Sequence, residues 1–407
     1  MEPCIVFIES NTSGTGKQFV SAARSLGLQP VLFAEDPSRY SYAQQEAVQI
    51  VQHSCVDNLD GLERSIARLA GERKLAGIYS SSEYFIETAA QLAQHFGLPG
   101  PAPAAVRICR NKWEQRRRLQ QAGVGVPAFI RVNTAQQAVE ALDSITLPVV
   151  LKPTYGTGSI GVRLCRSADE VRCHAAALLA VHTNERGMPV PQEVLVEEYL
   201  TWPEFSAEVF GTTVVGFTRK HVSREPYFVE TGHDFPALFT ADMRDKLSVA
   251  LTCAMQAVGM DWGPMHIEFR CAEDRFAVME INPRLAGGFI PELLRLATGI
   301  DVISETIKLV AGLQPDLTPS TAGHASIRFI CPQSDGTITR VKGLEQATAL
   351  DGIASALLYR QIGDSFAVHH DFRDRVGHVV SVADCEHAAV QVAESARNMI
   401  EIHVAPQ

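Results

Sequence analysis

The first hundred residues alternate short apolar segments with polar and amphipathic ones. Segments 4–9, 30–34 and 75–80 have the length and composition of buried strands, and helical patterns follow the first and the third. Strands that alternate with helices form right-handed βαβ units around a parallel sheet. Ligand-binding groups gather at the carboxyl ends of such strands, so we expect them near residues 10–16 and 80–83.

Proline and glycine mark two candidate boundaries, at 98–103 and at 314–321. Between them the pattern predicts a charged helix at 111–122, mostly strands to residue 282, and helices near 291–298 and 303–311. Beyond the second boundary it predicts strands and a final helix over 386–402. We therefore expect an α/β protein with α+β character in its central part, divided into residues 1–103, 104–314 and 315–407.

Charge and composition exclude several classes of protein. The net charge is −10 and no Lys/Arg-rich tract recurs, which argues against nucleic acid as a partner. We find no basic start followed by an apolar run and no segment of about 18 apolar residues, so we expect a cytoplasmic protein without a membrane partner. The nine cysteines form no CxxC pair and are expected to be small buried apolar residues.

The segment 148–162, PVVLKPTYGTGSIGV, combines a strand with a glycine-rich loop. The strand delivers Lys152, and Gly156, Gly158 and Gly161 follow at once. Glycines let backbone N–H groups approach phosphate oxygens closely, and a flanking lysine supplies compensating charge. An ordinary glycine-rich turn has the same composition, so this motif alone leaves both interpretations open.

A hairpin is predicted from MHIEFR at 265–270 and VMEIN at 278–282, with its turn at 272–274. Pairing about that turn places Glu268 opposite Glu280, and Asn282 shares a face with Glu280 because strand residues two apart point the same way. Two carboxylates and an amide oxygen form a site suited to Mg²⁺. Like charges opposite each other destabilise a sheet without a cation. The alternative is a solvent-facing acidic patch.

The residues directly after this hairpin favour the metal interpretation. Arg284 supplies a cation, and Gly287 and Gly288 supply free N–H groups, where phosphate and carboxylate oxygens would lie.

A third motif is the strand pair within VLVEEYLTWPEFSAEVF, residues 194–210. An adenine ring can use the backbone N–H and C=O of the connector at 197–200, and the carboxylate of Glu204 can hold both ribose hydroxyls. Acidic residues at strand ends are also common on ordinary surfaces, so this motif is weak by itself.

The order of these motifs, with Lys112 ahead of them, resembles the ATP-grasp superfamily over about residues 112–288. A narrower resemblance, to the L-amino-acid ligases of the bacilysin-synthetase type, rests on residues 98–100, on residues 111–112 and on YFVETGHDFPA at 227–237. The resemblance implies an ATP-grasp fold. It has an N-terminal parallel-sheet, Rossmann-like domain, a central nucleotide- and metal-binding domain, and a C-terminal α+β subdomain.

The resemblance also implies roles for individual residues. The groups implied to bind ATP are Lys112, Lys152, the mobile loop with Gly156, Gly158, Ser159 and Gly161, the connector Glu197, Glu198, Tyr199 and Leu200, and the ribose-binding Glu204. The implied magnesium ligands are Glu268, Glu280 and Asn282. The implied catalytic residues are Lys152, Arg284 and His233, and the implied substrate residues are Glu83, Glu230, His233, Arg284, Gly287 and Gly288.

The implied activity is ATP-dependent ligation of a carboxylate to an amine through an acyl phosphate, with ADP and phosphate released. Two magnesium ions, replaceable by manganese, would assist, and the first choice of substrates is a pair of amino acids. A homodimer is compatible with the resemblance. Alternatives are a ligase that joins a hydroxy or tricarboxylic acid to an amine, a phosphotransferase and a nucleotide-binding regulator. Whether His233 accepts a proton or only orients ligands stays open.

Overall fold

The computed structural model describes residues 2–12, 14–56, 58–223, 225–273, 275–332 and 334–406. Its N-terminal part is a parallel sheet with strand order β3-β2-β1-β4, as the alternating pattern predicted. The ends of β1 and β4 meet, since the Ser10 and Ser81 hydroxyls are 2.7 Å apart. The elements are β1 (Pro3–Ile8), α1 (Thr15–Ser25), β2 (Gln29–Ala34), α2 (Ser41–Gln45), β3 (Gln49–Gln52), α3 (Leu59–Glu72), β4 (Lys74–Tyr79) and α4 (Ile86–His95).

A smaller antiparallel sheet follows, with strand order β5-β8-β6-β7. The Asn111 side chain accepts a hydrogen bond from the Glu114 N–H, which caps α6 and places Lys112 in its first turn. The elements up to β8 are α5 (Pro103–Arg110), α6 (Lys112–Gln121), β5 (Phe129–Val132), α7 (Ala135–Glu140), β6 (Val149–Pro153), β7 (Arg163–Cys165), α8 (Ala168–Leu179) and β8 (Val194–Glu198).

The largest sheet of the described chain is antiparallel and has eight strands, in the order β13-β12-β9-β10-β11-β14-β18-β16. It continues across the candidate boundary at 314–321, so the central and C-terminal segments share one sheet. Its strands are β9 (Glu204–Phe210), β10 (Thr213–Val222), β11 (Glu230–Phe235), β12 (Pro264–Ala272), β13 (Arg275–Asn282), β14 (His324–Ile330), β16 (Ile353–Leu358) and β18 (Gly377–Ala383).

Of the remaining elements, three strands form a small sheet with strand order β17-β15-β19, and α11 packs against α1 and β4 of the N-terminal part. The remaining elements are α9 (Ala241–Val258), α10 (Ile290–Thr298), α11 (Val302–Val310), β15 (Gly336–Lys342), α12 (Leu344–Thr348), β17 (Ser365–Phe366), α13 (Glu386–Met399) and β19 (Glu401–Ala405).

Two sequence predictions of secondary structure were wrong. The segment predicted to be mostly strand contains three helices, α7, α8 and α9. The last of them buries Leu247, Leu251, Ala254, Met255 and Val258 at helical spacing. The final helix was predicted to reach residue 402 but ends at Met399, because residues 401–405 pair with β15 as a strand. Pairing with a distant strand overrides local helical preference there.

In the described chain, none of the helices has the length and apolar character needed to cross a bilayer. Among the described residues no two cysteines form a disulfide, and five cysteines are buried as expected: Cys4, Cys55, Cys109, Cys165 and Cys271.

Candidate active site

A cleft lies between the four-stranded antiparallel sheet and the eight-stranded sheet. It encloses about 860 Å³ of empty space, part of it open to solvent. This size suits a nucleotide. Of the predicted site residues, the cleft is lined by Lys112, Lys152, Gly156, Gly158, Ser159, Glu198, Tyr199, Leu200, Glu204, Glu230, Glu268 and Glu280.

One part of the cleft is apolar. Val150, Leu200, Phe228 and Met279 line it, and the Tyr199 ring packs 5.9 Å from the Phe228 ring. These side chains form a slot for a flat ring beside the connector backbone at 198–200. Val150, Phe228 and Met279 were not predicted, because an apolar residue in a strand carries no sign of which cavity it faces.

Lys112 and Lys152 are almost fully buried beside the cleft. The Lys112 Nζ donates to the Gly156 carbonyl oxygen at 2.8 Å and lies 2.8 Å from a carboxylate oxygen of Glu280. The Lys152 Nζ lies 2.5 Å from Glu197. Lys112 therefore connects the glycine-rich loop to the acidic hairpin of β12 and β13. Lys152 is held by Glu197, which does not line the cleft.

Glu197 does not present its carboxylate to the cleft, although it was predicted within the adenine-binding connector. Its side chain is fully buried between the Arg116 Nε, at 2.7 Å, and the Lys152 Nζ. Burial by itself would raise the pKa of Glu197, but the two cations outweigh it and lower that pKa. The carboxylate holds Lys152 in place, which only the tertiary pairing with α6 reveals.

The acidic hairpin has the predicted register: Glu268 lies opposite Glu280, and Asn282 lies opposite His266. The predicted turn at 272–274 includes Asp274, which lies outside the described residues. A register shift after Glu268 bulges Met279 out of the pairing, towards the apolar part of the cleft.

Lys220 is a residue of the site that sequence reasoning missed. Its Nζ lies 2.7 Å from Glu230, 3.1 Å from Glu268 and 3.3 Å from Glu204. Burial by itself would lower the pKa of Lys220, but the three carboxylates raise it well above its usual range. A lysine in the middle of a strand was the available sign, since a buried lysine requires acidic partners.

His266 supports the same acidic group from the other side. Its Nε2 lies 3.2 Å from Glu268 and its Nδ1 lies 3.0 Å from Glu208, which also accepts a hydrogen bond from the Ser206 hydroxyl. Burial by itself would lower the pKa of His266, but Glu208 and Glu268 raise it to about 9. The imidazole is therefore protonated at neutral pH and holds Glu268 in a defined orientation.

The donor chemistry of the hairpin fits a magnesium ion. Glu268, Glu280 and Asn282 offer hard oxygen donors on adjacent strands, which Mg²⁺ prefers. The ammonium groups of Lys112 and Lys220 lie against these carboxylates, so the cluster already requires positive charge. Within the described ranges, no three His, Cys, Asp or Glu side chains converge as a metal site. The candidate set therefore depends on the Asn282 amide as its third donor.

Arg284 connects the N-terminal sheet to the glycine-rich loop. Its Nε donates to Glu83, and its Nη2 donates to the Thr157 hydroxyl at 3.1 Å. Glu83 also accepts from the Arg110 Nη1 at 2.8 Å. Burial by itself would raise the pKa of Glu83, but Arg284 and Arg110 lower it to about 2. The predicted substrate residue Glu83 is thus ionised and orients Arg284.

The glycine-rich loop rests on two aromatic residues. The Ser159 hydroxyl donates to the Phe228 carbonyl oxygen at 3.1 Å, and the Phe372 ring lies against Gly158. Gly158 has a φ of 65°, and a Cβ added to it would lie 2.5 Å from the Phe372 ring. Only glycine combines this backbone with this contact.

His233 is fully buried, and neither of its ring nitrogens has a hydrogen-bond partner among the described residues. Its Nε2 lies 3.6 Å from Glu230. Burial lowers the pKa of His233 to about 3, against the opposing effect of Glu230, so the imidazole is neutral at pH 7. A Cβ on Gly288 would lie 2.5 Å from this Nε2, whereas the corresponding position on Gly287 is open.

Three family models match the chain. They describe an ATP-grasp N-terminal domain over residues 20–100, an ATP-grasp domain over 145–292 and an L-amino acid ligase C-terminal domain 2 over 328–405. The Sinorhizobium fredii protein y4rH is 36% identical over 406 residues, which cover 100% of this chain and 84% of that protein.

Carnosine synthase 1 of Gallus gallus is 28% identical over 369 residues, which cover 82% of this chain but 39% of that protein. Among solved structures, an L-amino acid ligase from Bacillus licheniformis superposes with a TM-score of 0.83. That match covers 100% of this chain and 99% of the other at 20% sequence identity. At that identity the superposition shows a shared fold.

Proposed function

This chain belongs to the ATP-grasp family and is an ATP-dependent ligase that forms C–N bonds, and we propose that it joins the carboxylate of one amino acid to the amine of another. The observation that carries the proposal is a single cleft that combines an apolar slot, two buried lysines and an acidic hairpin. The match to an L-amino acid ligase C-terminal domain supports amino acids as substrates.

In the proposed reaction, a carboxylate oxygen attacks the γ-phosphorus of ATP, an acyl phosphate forms and ADP leaves. Lys112 and Lys152 bind phosphate oxygens, and Arg284 offsets the charge that spreads over the transferred phosphoryl group. Magnesium held by Glu268, Glu280 and Asn282, as two ions or replaced by manganese, would neutralise phosphate charge when bound. Glu83 holds the Arg284 guanidinium at the glycine-rich loop.

In the second step the amine nitrogen attacks the acyl carbon, the C–O bond to phosphate breaks, phosphate leaves with its electron pair, and the proton that the nitrogen loses passes to the departing phosphate or to solvent. Water would destroy the acyl phosphate, so the loop at 154–160 has to cover it. The Gly287 and Gly288 N–H groups are suited to hold substrate carboxylate oxygens.

His233 is proposed to orient a substrate. With a pKa of about 3 it is a weak base at neutral pH, yet two unpartnered ring nitrogens in a fully buried imidazole favour a hydrogen bond to a ligand. His233→Ala should therefore raise the KM for the substrate and leave the pH dependence of kcat nearly unchanged. A loss of kcat that follows a single ionisation near neutral pH would instead assign proton transfer to this residue.

Trapping with hydroxylamine tests the acyl phosphate. Each amino acid of a panel is incubated singly with protein, ATP and magnesium, and hydroxylamine is added in excess over the amino acid as the competing acceptor. We expect a hydroxamate from one or a few amino acids, in amounts that match phosphate release. Omitting the amino acid, or replacing ATP with a non-hydrolysable analogue, is the control.

Two outcomes would contradict the proposal in different ways. A stable phosphoester without hydroxamate would exclude the acyl phosphate and favour phosphotransfer. Hydroxamate from hydroxy or tricarboxylic acids, with none from amino acids, would retain the ligase and change the carboxylate substrate.

A further inference from the structure

Arg375, which precedes β18, reaches the edge of the ATP cleft from the C-terminal segment. Its Nη2 donates to Glu230 at 2.6 Å, and its Nε donates to the Glu230 carbonyl oxygen at 3.3 Å. The guanidinium carbon lies 3.9 Å from the centroid of the Phe329 ring. Its side chain is only 11% exposed. The guanidinium is therefore held in one plane, with one edge occupied by Glu230.

The other edge of this guanidinium has no partner. The Arg375 Nη1 donates no hydrogen bond to any residue in the described part of the chain. It lies 3.6 Å from the position of a Cβ on Gly288, and the unpartnered His233 Nε2 lies 2.5 Å from the same position. The buried His233 Nε2, which has no hydrogen-bond partner among the described residues, and the free Arg375 Nη1 thus meet beside Gly288. Buried polar groups normally have partners, so this place is suited to a polar ligand.

The backbone beside these groups borders open space at Gly287. A Cβ on Gly287 would have no neighbour within 4 Å. Phe289 has a φ of 64°, which is unusual for a bulky residue, and its ring lies 6.4 Å from the Phe329 ring. Backbone strain of this kind occurs often at ligand-binding sites. The polar groups are therefore bordered by an apolar wall.

Other cations near the cleft already have acidic partners or proposed roles in ATP binding. Lys112 and Lys152 face the phosphate positions, Lys220 is enclosed by three carboxylates, and Arg284 and Arg110 both pair with Glu83. Of these cations, Arg375 is the one whose free Nη1 lies beside Gly288 and the His233 Nε2.

We propose that Arg375 binds the free carboxylate of the amine substrate, which makes that substrate an amino acid and not a simple amine. The inference rests on the proposed ligase function and names the residue that recognises its second substrate. Gly288 is four residues from Arg284, so the two substrate positions are at most about 14 Å apart along the backbone. A carboxylate on the Arg375 Nη1 directs the amine at the other end of the same small molecule towards the acyl phosphate.

The chemistry of arginine supports a carboxylate ligand. A guanidinium has five N–H donors, and Glu230 uses the Nε and Nη2 edge, which leaves the Nη1 donors free. A charge-assisted hydrogen bond from a preorganised arginine is among the strongest available to a small anion. An amide or ester of the same amino acid lacks that charge and would gain little from Arg375.

The test compares acceptors that differ only in this group. Wild-type protein and Arg375→Met are assayed with a free amino acid, with its carboxamide and with hydroxylamine, using the carboxylate substrate found by hydroxamate trapping. Methionine preserves apolar contact with Phe329 and removes the charge. The matched control is Arg373→Met, an exposed arginine two residues away. Thermal melting checks the fold, and Arg375→Lys is the second variant.

We expect Arg375→Met to raise the KM for the free amino acid about 10- to 100-fold. The KM for the carboxamide and the rate of hydroxamate formation should stay within about threefold, so the wild-type preference for the acid over the carboxamide disappears. Arg375→Lys should retain part of that preference, and Arg373→Met all of it.

Three results would overturn the inference. Equal losses with acid and carboxamide would mean that Arg375 only supports Glu230. Loss of hydroxamate as well would place Arg375 in the phosphoryl-transfer step, and an unchanged KM would remove it from the site. If the wild-type protein makes no hydroxamate at all, the proposed ligase function fails first, and the two failures are therefore distinguishable.

Discussion

At the scale of single residues, the site is a set of buried charges that compensate one another without ligand. Glu204, Glu230 and Glu268 surround Lys220, and Glu280 pairs with Lys112. A buried charge is costly unless it is paired, so these lysines neutralise the carboxylates before nucleotide and metal arrive. When nucleotide and metal bind, ion pairs with phosphate and metal replace the ion pairs between these lysines and carboxylates.

Glu280 is the residue whose replacement tests this exchange most directly. Glu280→Gln keeps the size of the side chain and removes the charge that would hold magnesium. We expect kcat at saturating magnesium to fall by about 100- to 1000-fold, because charge stabilisation of the transferred phosphoryl group is lost. Phosphate release measures the effect. Glu292→Gln, at a partly exposed carboxylate on α10, is the control.

The melting temperature of Glu280→Gln should stay close to that of the wild type. Near-normal phosphate release from the folded variant would remove Glu280 from the metal site.

At the scale of elements, the loop between β6 and β7 is expected to act as a lid. Its backbone at Gly158, Ser159 and Gly161 has positive φ, and its contacts include Phe228 and Phe372. Few apolar contacts and a missing phosphate partner predict fast amide exchange at 154–160 without nucleotide. A non-hydrolysable ATP analogue with magnesium should slow that exchange, and exchange that nucleotide does not change would count against a lid.

Gly158→Ala is expected to impair lid closure. The added Cβ would contact the Phe372 ring, in a backbone conformation that costs alanine about 1–2 kcal/mol. We expect the KM for ATP to rise about tenfold and the nucleotide-dependent protection of the loop to decrease.

Gly187→Ala is the matched control, because Gly187 has a φ of 76° and an added Cβ there would meet no atom within 4 Å. Equal effects of both substitutions on ATP binding would show that the loss does not come from the contact with Phe372.

At the scale of the whole molecule, the shared eight-stranded sheet makes stability depend on groups far from the cleft. His378 on β18 is buried, and its Nδ1 lies 2.7 Å from the Tyr359 hydroxyl and its Nε2 lies 3.2 Å from the Ser355 hydroxyl. Burial lowers the pKa of His378 to about 4. The unfolded chain binds this proton near pH 6.5, so protonation favours unfolding between those values.

The free energy of unfolding should therefore decrease as pH falls from about 6.5 to 4, with His378 contributing about 3 kcal/mol at most. His378→Gln should remove that contribution, so the free energy of unfolding should depend less on pH. Urea denaturation at several pH values measures this dependence. The same substitution at the exposed His387 is the control. Parallel curves for wild type and His378→Gln would show that burial does not disfavour the charged imidazole.

Local sequence patterns were sufficient for features that depend on neighbouring residues. The alternation of apolar and helical segments predicted the parallel N-terminal sheet, and the turn between two strands predicted that Glu268 faces Glu280. The glycines after Lys152 predicted a loop, and in the structure this loop lies beside the cleft with positive φ at Gly156, Gly158 and Gly161. Backbone preferences and strand periodicity depend on residues only a few positions apart, so they can be predicted from a single sequence.

Only the tertiary structure decided which charges meet. Glu197 turns inward because Arg116, 81 residues away, lies behind it, and Arg375 reaches Glu230 across 145 residues. Lys220 becomes part of the site because three strands bring carboxylates around one ammonium group. A buried ion pair forms wherever packing removes water from two opposite charges. That depends on how sheets and segments pack together, which local residue patterns do not specify.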